Sequence, residues 1–313
     1  MNLSRFSKYA WGTLGYNILV ILWGSYVRAT GSGAGCGSHW PLCNGMVLPR
    51  SPQAETVIEF IHRLSSGLAL VLVVILFVWG FKTHSKGSPV RLGVSLSILF
   101  IIIESLVGAM LVLFSWVAYD QSIARVISIS VHLINTFLLL ASLTLTAWWA
   151  SGGKAIVLYG KSLALWALVA GLGAVLILGV SGAITALGDT LFPSGSLAEG
   201  VQQDFAPAAH FLVRLRVWHP ILAIITGLFI FFLAFIIGLS ADQPATKKFA
   251  WIAVTILGIQ LLAGLVNLLL LAPVGMQVIH LLLADMVWIS LILLSASTLS
   301  TKSDKQAVIP LGG

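Results

Sequence analysis

Charge is what this sequence has least of. Only 9% of its 313 residues are Asp, Glu, Lys or Arg, against roughly 25% in a soluble domain, while 58% are hydrophobic. A water-soluble globular chain is thereby excluded. Cysteine is nearly absent, with Cys36 and Cys43 alone in the chain, which excludes a disulfide-built scaffold and a four-cysteine metal site. Alternating apolar and polar residues in segments of about 10, the mark of membrane β-strands, are missing as well. An Arg-rich, Ser-rich transit segment is also missing, so a bacterial plasma membrane is expected rather than an organelle.

What is present is a series of long apolar runs. Eight can be read, at 9–28, 55–81, 90–114, 124–150, 162–187, 210–240, 248–272 and 275–300, each about long enough to cross a bilayer as a helix of roughly 20 residues. The expected fold is an all-α polytopic membrane protein with eight transmembrane helices. The basic start followed by an apolar stretch resembles a secretory signal, and Ala34-Gly35-Cys36 a lipoprotein cleavage site, but the cysteine lies too far past the apolar stretch. Span 1 is read as retained.

Lysine sets the orientation. Arg5 and Lys8, then Lys82, Lys86 and Arg91, Lys154 and Lys161, Lys247 and Lys248, and Lys302 and Lys305 all fall on one side of the alternating spans. By the positive-inside rule that side is cytoplasmic, and both termini with it. The net charge of +7 is explained by these loops, so no nucleic acid need be invoked. Tryptophans near span ends, such as Trp79 and Trp148, fit interfacial anchors.

The chain repeats itself. Ser25 matches Ser181, His62 matches His219, and Glu104-xxx-Gly108 matches Gln260-xxx-Gly264, all at offsets of about 156; His132-Leu133 then matches His280-Leu281. Two tandem four-helix bundles are expected, residues 1–155 and 156–300, related by a pseudo-twofold axis along the membrane normal. A tail, 301–313, reads as disordered.

Four histidines, His62, His132, His219 and His280, lie in spans 2, 4, 6 and 8. Each comes roughly 5 to 10 residues after its span leaves the outer face, about 8 to 15 Å deep by helical rise. A single such imidazole is ordinarily hydrogen-bonded within a bundle. Four at one depth, two per repeat, point instead to axial ligands of a haem in each half. Zinc or copper would want further Cys, Asp or Glu ligands. Arg28, Arg63, Arg125, Arg214 and Arg216 near the outer interface are candidates to pair with haem propionates, or else snorkel to lipid phosphate.

The halves differ chemically. Glu59, three residues before His62 and on the same helical face, corresponds to Arg216 in the second half. An ionisable group at membrane depth is a functional candidate. Only the first half has the acid, so it reads as the half that does chemistry and the second as a resident cofactor site. Glu104, Asn135, Gln260, Asn267 and Asp285, also inside spans, suit interhelical hydrogen bonding. Cys36 and Cys43, seven apart in a Gly-rich outer loop, are open to three readings: a structural disulfide, a redox-active pair or free thiols.

Arg28-Ala29-Thr30-Gly31-Ser32-Gly33, Cys36, Trp40-Pro41-Leu42-Cys43 and Glu59-xx-His62-Arg63, with the paired histidines, together resemble the haem A synthase family over essentially the whole chain. The resemblance implies oxidation of a methyl group of haem O to a formyl group, giving haem A for cytochrome c oxidase. It implies haem b as cofactor on His219 and His280, the substrate haem O on His62 and His132, and Glu59 as catalytic residue. It implies delivery of haem O by the farnesyltransferase that makes it, within the lipid bilayer, and it is compatible with a homo-oligomer; an electron donor or acceptor is required but not named by the sequence. Two features depart from the family: 187–209 has no second cysteine pair, and Gly37-Ser38-His39 stands where an acid is common. The rival reading is a dihaem b-type electron-transfer membrane protein without porphyrin chemistry.

Overall fold

The computed structural model describes residues 3–50, 52–157 and 162–300; the tail 301–313 and Lys161 lie outside the described residues. Those residues form ten α-helices, one short 3-10 turn and no strand beyond an isolated bridge between Cys43 and Met46. The helices are α1 (Arg5–Ala29), α2 (Ala54–Thr83), α3 (Pro89–Leu113), α4 (Ile123–Ala150), α5 (Ser162–Leu191), α6 (Leu197–Asp204), α7 (Phe211–Arg216), α8 (Trp218–Ser240), α9 (Pro244–Leu269) and α10 (Val274–Leu299).

Local chemistry sets several of these limits. Ser88 caps α3 by accepting from the Val90 amide, and Pro89 at the first position has no amide to leave unpaired. Ser122 caps α4 through the Arg125 amide. Among the described residues, seven helical stretches are long and apolar enough to cross a membrane, with α7 and α8 taken as one. The first of the eight runs also forms a helix, α1, of 25 residues, but its tyrosines, glycines and Asn17 leave it less apolar than the rest. The run at 210–240 is not one continuous helix: it breaks at Val217. Pro220 has no amide to offer the carbonyl of Arg216, and its ring crowds that turn. In the first half the equivalent position is Arg63, and α2 runs unbroken for 30 residues.

Contacts divide the helices into two sets. Helix α1 touches α2 and α4, and α3 touches the same two; α5 touches α8 and α10, and α9 touches the same two. The sets meet through α1, α4, α5 and α10. Helices α4 and α10 form the centre of the core: Phe137 stacks on Trp288 with ring centroids 5.1 Å apart, and the Trp288 indole donates to the Phe137 carbonyl at 2.7 Å.

Helices in lipid gain little from hiding apolar area, because the acyl chains are as apolar as leucine. Close packing therefore carries the association, and small residues permit it. A Cβ built on Gly93 would lie 3.2 Å from Thr146 Cα and closer still to its Oγ1, whereas one on Gly12 would meet nothing within 4 Å. Gly93→Ala is expected to destabilise the α3–α4 contact by about 1–3 kcal/mol, seen as a lower thermal unfolding midpoint in detergent, with Gly12→Ala unchanged as control.

Candidate functional site

Glu59 is 3% exposed, and both of its carboxylate oxygens are engaged. The Cys36 amide donates to Oε2 at 2.8 Å, and Arg63 donates to Oε1 from Nη2 at 2.6 Å and from Nε at 3.1 Å. One turn apart on α2, the two side chains form a largely buried ion pair in which two guanidinium N–H groups converge on one carboxylate oxygen. Arg63 Nη1 then donates to the carbonyls of His39 and Leu42, and Thr56 Oγ1 to the Gly35 carbonyl at 2.8 Å. Thr56, Glu59 and Arg63, on one face of the first turns of α2, thus pin the loop 31–46 against that helix. Cys36 and Cys43 are disulfide-bonded and buried in it. Of the three readings open for the cysteines, free thiols are overturned.

The four histidines are half-buried and share a feature that spacing alone does not reveal: each rests against a glycine of the preceding spanning helix. A Cβ on Gly24 would lie 2.8 Å from His62 Cε1, on Gly182 2.9 Å from His219 Cε1, on Gly264 2.9 Å from His280 Cε1, and on Gly108 3.9 Å from His132 Cε1. The signal is legible in the sequence only in part, as the Gly108 and Gly264 match. His219 and His280 stand with ring centroids 6.4 Å apart and ring planes at 90°. Their helices α8 and α10 do not neighbour each other but sit on either side of α5 and α9. His62 and His132, on α2 and α4, hold the corresponding places between α1 and α3. Ser181 Oγ lies 3.0 Å from His219 Nδ1. The Nδ1 atoms of His62, His132 and His280 are buried with no hydrogen-bond partner among the described residues.

All five candidate arginines are committed to protein acceptors. Arg28 bridges the two sets of helices, donating to the Ala186 carbonyl (2.8 Å), Thr190 Oγ1 (3.0 Å) and Gln277 Oε1 (2.7 Å). Arg125, 2% exposed, holds the preceding turn through the carbonyls of Ala118 and Asp120, both at 2.6 Å. Arg214 donates to the Pro207 carbonyl. Arg216 pairs with Asp204 and with Asp189 (3.3 Å) and donates to the Gly200 carbonyl and Gln203 Oε1, both at 3.3 Å. It anchors the loop 192–210, as Arg63 anchors the loop 31–46. No three His, Cys, Asp or Glu side chains among the described residues come together as a bare metal ion would need.

A Cβ on Gly35 would fall 2.6 Å from the Thr56 nitrogen and closer still to the Glu55 carbonyl, backbone atoms that cannot yield as a side-chain tip does. Gly35→Ala is therefore expected to lift the loop from α2 and break the Cys36–Glu59 bond. After mild reduction, Cys36 and Cys43 should be alkylated several-fold faster than in the parent protein.

Known proteins bear on this arrangement. The family model described as COX15-CtaA, cytochrome oxidase assembly protein, matches residues 7–292. The chain is 51% identical over 310 residues to a Protoheme IX farnesyltransferase of Thermus thermophilus, a match that covers 99% of this chain and 51% of the relative. It is 42% identical over 97 residues to the Heme A synthase of Halalkalibacterium halodurans (31% of this chain, 33% of the relative) and 37% identical over 131 residues to that of an Exiguobacterium species (42% of each). The chain spans about half the length of the Thermus relative, and the matches to the others cover less than half of theirs. A match running almost end to end places this chain in the COX15-CtaA family of cytochrome oxidase assembly proteins, the family of the haem A synthases.

Proposed function

We propose that this protein is a haem A synthase, oxidising a methyl group of haem O to a formyl group. The observation that carries the reading is the His219–His280 pair at 6.4 Å with crossed rings. That separation leaves room for one metal atom between the two rings, so His219 and His280 would hold a haem iron. His62 and His132 lie on α2 and α4, the corresponding helices of the first half, with Glu59 one turn from His62.

Residues and group fit: a two-histidine donor set suits a porphyrin, which supplies the remaining four ligands itself. The cofactor, when bound, supplies one-electron redox chemistry. His219 and His280 would hold haem b, and His62 and His132 the iron of the substrate. Glu59, one turn from His62, would take up the proton lost from the reacting carbon. Arg63 and the Cys36 amide fix that carboxylate, and the disulfide loop they pin lies over this end of α2, where it would exclude water.

The chain is read as two tandem four-helix bundles, residues 1–155 and 156–300, with α1 as the eighth span and both termini cytoplasmic, in a bacterial plasma membrane. The two closed sets of helix contacts and the one-sided lysines support this. The Thermus relatives' name supports a place beside a haem-farnesylating enzyme as the source of haem O.

The experiment is to extract the pigments of the purified protein and separate them. Haem B with haem O or haem A is expected; haem B alone in both sites would establish the electron-carrier reading. His219→Ala and His280→Ala should each lose haem B and keep the other pigment. Glu59→Gln should retain both pigments yet make haem A at least a hundredfold more slowly, within the range for lost general acid–base catalysis of about 10²–10⁴.

A further inference from the structure

We propose that Glu104 is the positioning residue of His132, taking the Nδ1–H of that imidazole so that the iron ligand in the first half, unlike that in the second, has an anionic hydrogen-bond partner. The inference rests on the reading of His132 as a haem ligand.

Glu104 reaches from α3 toward α4. Its Oε1 stands 3.5 Å from His132 Nδ1, a buried nitrogen that makes no hydrogen bond among the described residues and has this carboxylate oxygen as a charged neighbour. The carboxylate is held there by two groups on the same face of α4 as the histidine. Asn135 Nδ2 donates to Oε2 at 2.6 Å, and Thr136 Oγ1 donates to Oε1 at 2.5 Å. Asn135 is itself tied to the Phe100 carbonyl at 2.9 Å, one turn before Glu104. Position and orientation of the acid are therefore set from both helices.

The second half does not carry this arrangement. Gln260 replaces Glu104, and the residues three and four after His280 are Leu283 and Ala284 in place of Asn135 and Thr136. Gln260 Nε2 lies 3.4 Å from His280 Nε2, and its Oε1 has no partner among the described residues. His219 meets only uncharged groups, the Ser181 hydroxyl and the Leu178 carbonyl. Acid, amide and hydroxyl change together, as expected if they form one unit with one task.

A carboxylate on the far nitrogen of a ligating histidine fixes the tautomer, presents Nε2 to the metal and makes it more basic. Greater basicity stabilises the ferric over the ferrous state and lowers the reduction potential. The first haem would thus be held toward its oxidised form relative to a site lacking the acid.

The test is potentiometric titration of the intact, haem-loaded protein, following the absorption bands of the two haems separately. Glu104→Gln, which keeps size and hydrogen-bonding capacity, is expected to shift the ferric/ferrous equilibrium of one haem about tenfold toward ferrous, a rise of about 59 mV for a one-electron couple. The other haem should not move. Should Glu104→Gln fail to load, Thr136→Val, which removes one tether, should shift the same haem in the same direction by about threefold. Both haems bound with neither potential moved, or both moved equally, would overturn the assignment while leaving the haem reading intact. If His132→Ala retains both haems with unaltered spectra, His132 is no ligand, and the haem reading of the first half falls together with the inference.

Discussion

An ionised group inside a lipid-embedded helix costs several kcal/mol unless a partner meets it there. That constraint organises more of this molecule than any apolar contact does, because apolar area hidden from lipid yields little. Glu59 is met by Arg63 and the Cys36 amide, Arg216 by Asp189 and Asp204, and Glu104 by Asn135 and Thr136. Arg28 and Arg125 are met by backbone carbonyls and neutral side-chain oxygens. Each compensated charge ties a helix to a loop or to a neighbouring helix, so charges rare in number fix much of the geometry. Asp285 stands apart: it is fully buried, with no hydrogen-bond partner for either oxygen among the described residues.

The equivalence of Glu59 and Arg216 takes on a second meaning in three dimensions. Both sit near the N-terminal end of their spans and both staple the loop that precedes it, with opposite sign. In the first half the acid and Arg63 clasp a loop closed by a disulfide; in the second, where no cysteines exist, Arg216 clasps α6 through Asp204, Gln203 and the Gly200 carbonyl. An ionic network thus holds the second loop where Glu59, Arg63 and a disulfide hold the first. The carboxylate that reads as catalytic is also a structural anchor, and the two roles are compatible because the anchor is what holds it still.

Much is legible in the order of residues. The helical class, the long apolar runs, the internal repeat and the two-by-two histidine pattern follow from composition and spacing, since a membrane span must be long and apolar and a duplicated unit must keep its period. The length of an apolar run does not disclose the break at Val217, although Pro220 announces it. In sequence the arginines read as partners for haem propionates or for lipid phosphate; long side chains near a helix end have many partners within reach, and packing decides which protein acceptors they also meet.

That this chain is a multi-pass helical membrane protein and that matching residues recur at an offset of about 156 both follow from residue order, because they depend on the energy of each residue type in lipid and on helical period. Which glycine backs which imidazole, the joining of Cys36 to Cys43, and the turning of Glu59 to Arg63 and the loop while Glu104 turns to His132 come from the folded arrangement. Such choices depend on distances between segments far apart in the chain, and a carboxylate offsets its desolvation with whichever donor the fold brings within 3 Å.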